Sequence, residues 1–219
     1  MTAVRGATPI CWLALATLAL FARPAAGQRL HVEAIGALVE HRVTTGQAPE
    51  RVVGTAVGVG IVAPLLSWLE MRGRLIGGGL AAQTPATDDR RFGEMEATAS
   101  VTPLPWLAFD VGTLLRSYTN ALARQRWFAM RVGSELRISF GDGRVLGTLN
   151  GALMPLVNVS GIESPSISLS SGAGLVYRHG TLHAGLVYRL ERHDFPPTGT
   201  ARRLEQVSSI AAAVGIAVR

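Results

Sequence analysis

Two short stretches of this chain carry side chains of the kind that activate water. Asp88-Asp89 and His193-Asp194 bring carboxylates and an imidazole together, the groups that general acid–base hydrolysis uses. The members of each pair are adjacent, and successive residues of an extended chain point to opposite sides, so neither pair turns both groups toward one substrate. Charges solvated in polar loops are the plainer reading of all four. A Ser–His–acid site would need three such groups in company, and none gathers in sequence around His31, His41, His179 or His183. His31 with Glu33, and Glu40 with His41, offer two metal ligands each. No second cluster has ligand spacing, so neither a metal nor another cofactor is expected. The single cysteine, Cys11, lies in the apolar N-terminal segment, which leaves the rest of the chain without thiol chemistry.

The elements that must position these residues are read from stretches such as RWFAMRVGSELRISF, residues 126–140. Phe128, Met130, Val132, Leu136, Ile138 and Phe140 alternate with Arg131, Gly133, Glu135 and Arg137. Period two accounts for all six apolar residues, whereas a helix would scatter them over two faces. Ten such strands are expected, near 30–42, 51–62, 66–79, 93–102, 106–118, 126–140, 144–157, 166–177, 181–192 and 204–218. Short turns at Ala63-Pro64-Leu65, Pro103-Leu104-Pro105, Gly141-Asp142-Gly143 and Arg178-His179-Gly180 alternate with longer polar loops. Eight strands remain the alternative if 30–62 is not all wall.

Alternation alone does not say which face is inside. The polar face is rich in glycine (Gly54, Gly58, Gly60, Gly112, Gly133 and others), which suits a crowded, curved interior. It also carries ions of both signs: Glu70, Arg72, Arg74, Glu94, Glu96, Asp110, Arg116, Arg131, Glu135, Arg137, Arg189 and Glu191. Buried ions need partners, and these are expected to pair across neighbouring strands as a structural network in a barrel lumen. Turning one such Arg to mid-bilayer lipid would cost about 2–4 kcal/mol, so the apolar face is the one expected to meet lipid. Trp68, Trp106, Tyr118, Trp127 and Tyr177 fall near strand ends, as interfacial aromatics do, though the first four share the parity of the polar face.

The N-terminus separates from the rest. Arg5, the apolar run Ile10–Phe21 and the small residues Ala25-Ala26-Gly27 read as a signal peptide over 1–27, with a barrel domain over 28–219. All 21 basic residues are Arg, against 15 acidic ones, and they are scattered through the chain. The absence of a basic stripe argues against a nucleic-acid partner.

On this pattern the chain resembles the small outer-membrane β-barrel proteins of diderm bacteria. The resemblance implies an all-β, antiparallel up-and-down transmembrane barrel in the outer membrane. Its short turns would face the periplasm, and its partners would be outer-membrane lipid and the barrel assembly machinery. Members of that group usually end in an aromatic residue, whereas SSIAAAVGIAVR ends in Val218-Arg219. The rim pairs Asp88, Asp89 and His193, Asp194 also resemble those of the omptin proteases, ten-stranded barrels whose rim pairs are separated by one residue where these are adjacent. The expected function is a non-enzymatic structural, adhesive or narrow-channel role. The alternatives are an outer-membrane hydrolase, omptin-like or lipid-directed, and a soluble secreted ligand-binding barrel.

Overall fold

The computed structural model describes residues 29–46, 49–85, 87–197, 199 and 201–218 of the 219-residue chain, and the segment 1–27 read as a signal peptide lies outside them. Ten strands follow in order: β1 Leu30–Thr44, β2 Glu50–Leu66, β3 Leu69–Ala82, β4 Arg90–Leu104, β5 Leu107–Thr119, β6 Arg124–Phe140, β7 Val145–Val159, β8 Ile167–His179, β9 Leu182–Asp194 and β10 Leu204–Val218. Each is antiparallel to its neighbours. β1 pairs with β10 from Leu30↔Val218 to Thr44↔Leu204, so the sheet closes into an up-and-down barrel. The segment 30–62 supplies two wall strands paired from His31↔Val62 to Val43↔Glu50, which excludes the eight-strand alternative.

The tight connections gather at one end of the barrel and the longer ones at the other, here the turn end and the loop end. Two turns differ from the sequence reading. β2 and β4 run through Pro64 and Pro103, and the chain reverses one or more residues later, at Ser67-Trp68 and Pro105-Trp106. The register shifts between Pro64 and Leu66 and between Val101 and Leu104, so both prolines sit where the ladder is irregular and their missing N–H is tolerated. The turn Gly141-Asp142-Gly143 has φ of 57°, 55° and 81°, a left-handed run in which glycine at either end avoids a Cβ clash.

Side chains alternate as the sequence pattern demands. Outward Val57 and Leu153 are 72% and 62% exposed, while inward Ala108, Ala129 and Ser100 are fully buried. β7 is the exception. Between Met130↔Leu156 and Val132↔Leu153 it carries extra residues around Pro155, so Met154 and Val157 both turn inward. This bulge is why the alternation of β7 is untidy in sequence. Its ladder to β8 stops at Leu153↔Leu169.

Candidate functional site

The candidate site is the lumen, because the inward positions hold nearly all the buried ionisable groups. Its centre is a network on β3, β4, β5, β6 and β9. Glu94 accepts from Arg74 Nη2 at 2.5 Å and from Arg116 Nη2 and Nε at 2.6 and 2.8 Å. Glu96 accepts from Arg131 Nη1 and Arg189 Nη1, both at 2.7 Å. Glu191 lies 2.7 Å from Arg116 Nη1 and also contacts Arg189. Three carboxylates thus face four guanidiniums.

A second group lies toward the turn end. Glu70 accepts from Arg72 Nε at 2.5 Å, Glu135 accepts from Arg137 Nε at 2.7 Å, and Arg72 reaches Glu135 at 3.5 Å. Asp110 accepts from the Ser100 hydroxyl. Here three carboxylates face two guanidiniums, and the formal charges of the two groups cancel. Separating charges from water without partners costs several kcal/mol per ion, so this near-neutral matching is what lets the lumen be ionic at all.

The pairing differs from the expectation of neighbouring-strand ladders. Arg116 of β5 meets Glu191 of β9, and Arg189 of β9 meets Glu96 of β4, so several pairs cross the barrel. The barrel is narrow enough for an arginine to span it, and inward glycines clear the way. Gly112 lies in register between Thr98 and Arg131, and a Cβ there would come within 2.7 Å of the Ala97 carbonyl oxygen. Its absence lets Arg131 pass over β5 to Glu96.

A polar cavity of about 240 Å³ lies between the two ionic groups, bordered by Arg72, Arg74, Thr98, Asp110, Arg131, Asn150 and Arg189 among others. It is large and polar enough to hold water. Nearby, His183 Nε2 lies 2.8 Å from Glu33 Oε1, and His31 packs edge-on against the His183 ring. His183 reaches Glu33 over Gly215 of β10, where a Cβ would come within 2.5 Å of its Nε2. Among the described residues no group of three or more His, Asp or Glu is arranged to hold a metal ion. Glu40 and His41 do not share a site: Glu40 bonds Arg51 on the outer face, whereas His41 points inward.

The loop end is closed by a different interior. Val39, Val52, Ile76, Leu80, Phe92, Leu114, Tyr118, Trp127, Phe195 and Val207 pack into one buried apolar cluster. Tyr118 and Trp127 are therefore plug residues at 3% exposure, while Trp68, Trp106 and Tyr177 are about half exposed near the turn end. Two histidines are set into this plug. His41 donates through Nε2 to Glu205 Oε2 at 2.9 Å and stacks on Tyr118. Its Nδ1 faces Arg90 Nη1 at 3.4 Å, which fits a neutral ring protonated on Nε2.

His193 is fully buried, 2.9 Å from Ser168 Oγ through Nδ1 and 3.5 Å from Glu191 Oε2 through Nε2. This Ser–His–acid row has the residue types of a hydrolase. However, Trp127 packs on the imidazole, Glu191 is held by two arginines, and neither Ser168 nor His193 borders the lumen cavity. Of the four residues read as a rim site only His193 belongs to this row, buried and not solvated, and the other three do not join it. Asp194 pairs with Arg192 and Arg202, and Asp89 accepts from the Ala82 N–H. Among the described residues, no hydrogen bond or ion pair links Asp88 or Asp89 to His193 or Asp194. Sequence reading missed His41–Glu205 and Ser168–His193. Inward parity with Val39, Val43 and Val207 marks His41 and Glu205 as interior, but the pairing of residues 164 apart depends on closure of the barrel.

Solved structures share this architecture. The outer membrane protease OmpT from Escherichia coli matches with a TM-score of 0.60 and 10% identity, covering 86% of this chain and 96% of its own. The chain has the fold of an outer-membrane β-barrel. The translocator domain of the autotransporter NalP from Neisseria meningitidis, at 14% identity, covers 96% of this chain and 95% of its own, with a TM-score of 0.46. The β domain of the Bordetella autotransporter BrkA, at 12% identity, covers 85% and 99%, with a TM-score of 0.47. No protein-family model matches the chain, and no curated protein matches it in sequence. The likeness to OmpT is one of fold: in this barrel the adjacent rim pairs stay apart and the lumen is braced by ion pairs.

Proposed function

We propose that the chain is a non-enzymatic structural barrel of the outer membrane of a diderm bacterium. In this reading the signal is cleaved after Gly27, the barrel assembly machinery inserts the chain, the turn end lies in the periplasm and the loop end faces outward. The observation that carries the proposal is the plug: below the loops the lumen is packed with apolar side chains, and deeper in it is crossed by ion pairs. A conducting channel needs a continuous water path, and an adhesin is favoured by long outer loops. The longest connection at the loop end runs only from Phe195 to Arg203. Membrane residence is supported by the outward belt of Val57, Val59, Leu149, Leu153, Leu186 and Val214, each more than half exposed. Such a continuous apolar surface has no place in water.

The test is reconstitution of the full chain into planar bilayers, with gel mobility measured before and after boiling in SDS. The expected result is a compact band that slows on heating and no steady conductance. Sustained ohmic steps would replace the structural reading with a channel. Recovery in the soluble fraction without a heat shift would replace it with a secreted barrel.

A further inference from the structure

We infer that the outer wall of β4–β6, at the loop end, is a binding site for the phosphate of a membrane lipid, an inference that rests on the membrane placement proposed above. The register sets Arg91 of β4, Thr119 of β5 and Arg124 of β6 in one row, and Gly93, Ser117 and Arg126 in the next row toward the turn end. All six have outward parity. Neighbouring strands lie about 4.8 Å apart, so Arg91 and Arg124 flank Thr119 from roughly 10 Å apart, a gap that two guanidiniums can close on one phosphate. Gly93 leaves the Ser117 hydroxyl uncovered, since a Cβ there would press to 3.3 Å from its Oγ.

Charge separates this patch from most of the rest of the rim. Arg51, Arg90, Arg192, Arg202 and Arg203 each pair with a carboxylate. Among the described residues, Arg91, Arg124 and Arg126 are exposed and form no ion pair. Beside them is a groove bordered by Gly79, Ala81, Arg91, Thr119 and Asn120, and its carboxylate, Asp89, is turned to the Ala82 N–H at 2.8 Å. One row below the arginines the same wall becomes Met95, Leu115 and Phe128, the register partners that begin the apolar belt. A ligand seated here therefore meets guanidiniums and hydroxyls with its head and hydrocarbon with its tail. That is the chemistry of a phosphate-bearing lipid, and no soluble phosphate would use the lower part of the site.

The experiment uses the full chain folded in an uncharged detergent, titrated with dioleoyl phosphatidic acid. Dioleoylglycerol and inorganic phosphate are the comparison probes, and bound lipid is counted by native mass spectrometry. The variant is Arg91→Ala/Arg124→Ala/Arg126→Ala, with Arg51→Ala/Arg192→Ala/Arg202→Ala as an equal-site control on paired arginines. The expected result is a loss of affinity for phosphatidic acid of at least about tenfold in the triple variant. The control should lose no more than about twofold, and binding should weaken with added salt. Equal binding by wild type and triple variant would overturn the site, and so would equal binding of dioleoylglycerol. Binding of inorganic phosphate as tight as that of the lipid would overturn the lipid assignment. The heat-dependent gel shift of both proteins reports separately on the membrane barrel, so its loss would count against the placement and not against the patch alone.

Discussion

The two halves of the lumen obey one alternation rule and have opposite interiors. At the loop end the inward positions are Val39, Val52, Leu80, Leu114, Tyr118 and Trp127, packed into one buried cluster. From the centre to the turn end they are Glu33, Arg72, Glu96, Asp110, Arg131 and Glu135, arranged around a polar cavity. The polar groups that do occur in the plug, His41 and His193, are each tied to a specific partner. The difference shows that inward parity dictates burial, not polarity. A lumen can be filled with hydrocarbon or with matched ions, and each half solves the same packing problem by one of these means.

Four substitutions would break or sharpen this contrast. The largest effect is expected from Glu94→Ala at the centre, which takes one carboxylate from Arg74 and from Arg116 at once and leaves them Glu96 at 3.4 Å and Glu191 at 2.7 Å. The buried network is then left with one uncompensated positive charge, which typically costs about 3–5 kcal/mol, read as a drop in the temperature at which the compact gel band is lost. In the plug, Leu114→Ala removes a side chain that is 1% exposed. The expected loss is about 2–5 kcal/mol by the same measurement, with no change in lumen charge. If Leu114→Ala proved the costlier of the two, the ionic centre would be the softer half. Toward the turn end, Gly215→Ala would push His183 away from Glu33, at an expected cost of about 1–3 kcal/mol. Adding Glu33→Ala should then cost less than it does in the wild type, because the contact is already gone, and a double-mutant cycle measures this.

Much of this was legible in the sequence, and the reason is periodicity. The apolar face of Phe128, Met130, Val132, Leu136, Ile138 and Phe140 announces β6 without help from distant residues, and the same holds for most of the ten strands. Glu94, Arg116, Glu135, Arg189 and Glu191 are buried and enter the contacts described above. What was not legible depends on three dimensions. Pro64 and Pro103 read as turns because proline usually punctuates, and only the irregular ladder around them shows why the strands continue. The bulge at Pro155 reverses the parity of β7, which no fixed period can express. Tyr118 and Trp127 had inward parity, yet their position near strand ends also suits the interface of a bilayer. Arg116–Glu191 and His41–Glu205 follow from curvature and closure, so spacing along the chain carries no trace of them.

The ladder between β1 and β10 has a consequence in time. It joins the first strand to the last along their full lengths, Leu30↔Val218 to Thr44↔Leu204, so its contacts are among the most distant along the chain. Closing so long a loop is slow, and until it happens two strand edges with unpaired amides remain open to other chains. His41 also lacks Glu205 until that moment. Folding should therefore end with a late docking of β10 that seals the wall and completes the plug in one step. Before it, the chain is a curved ribbon in need of protection.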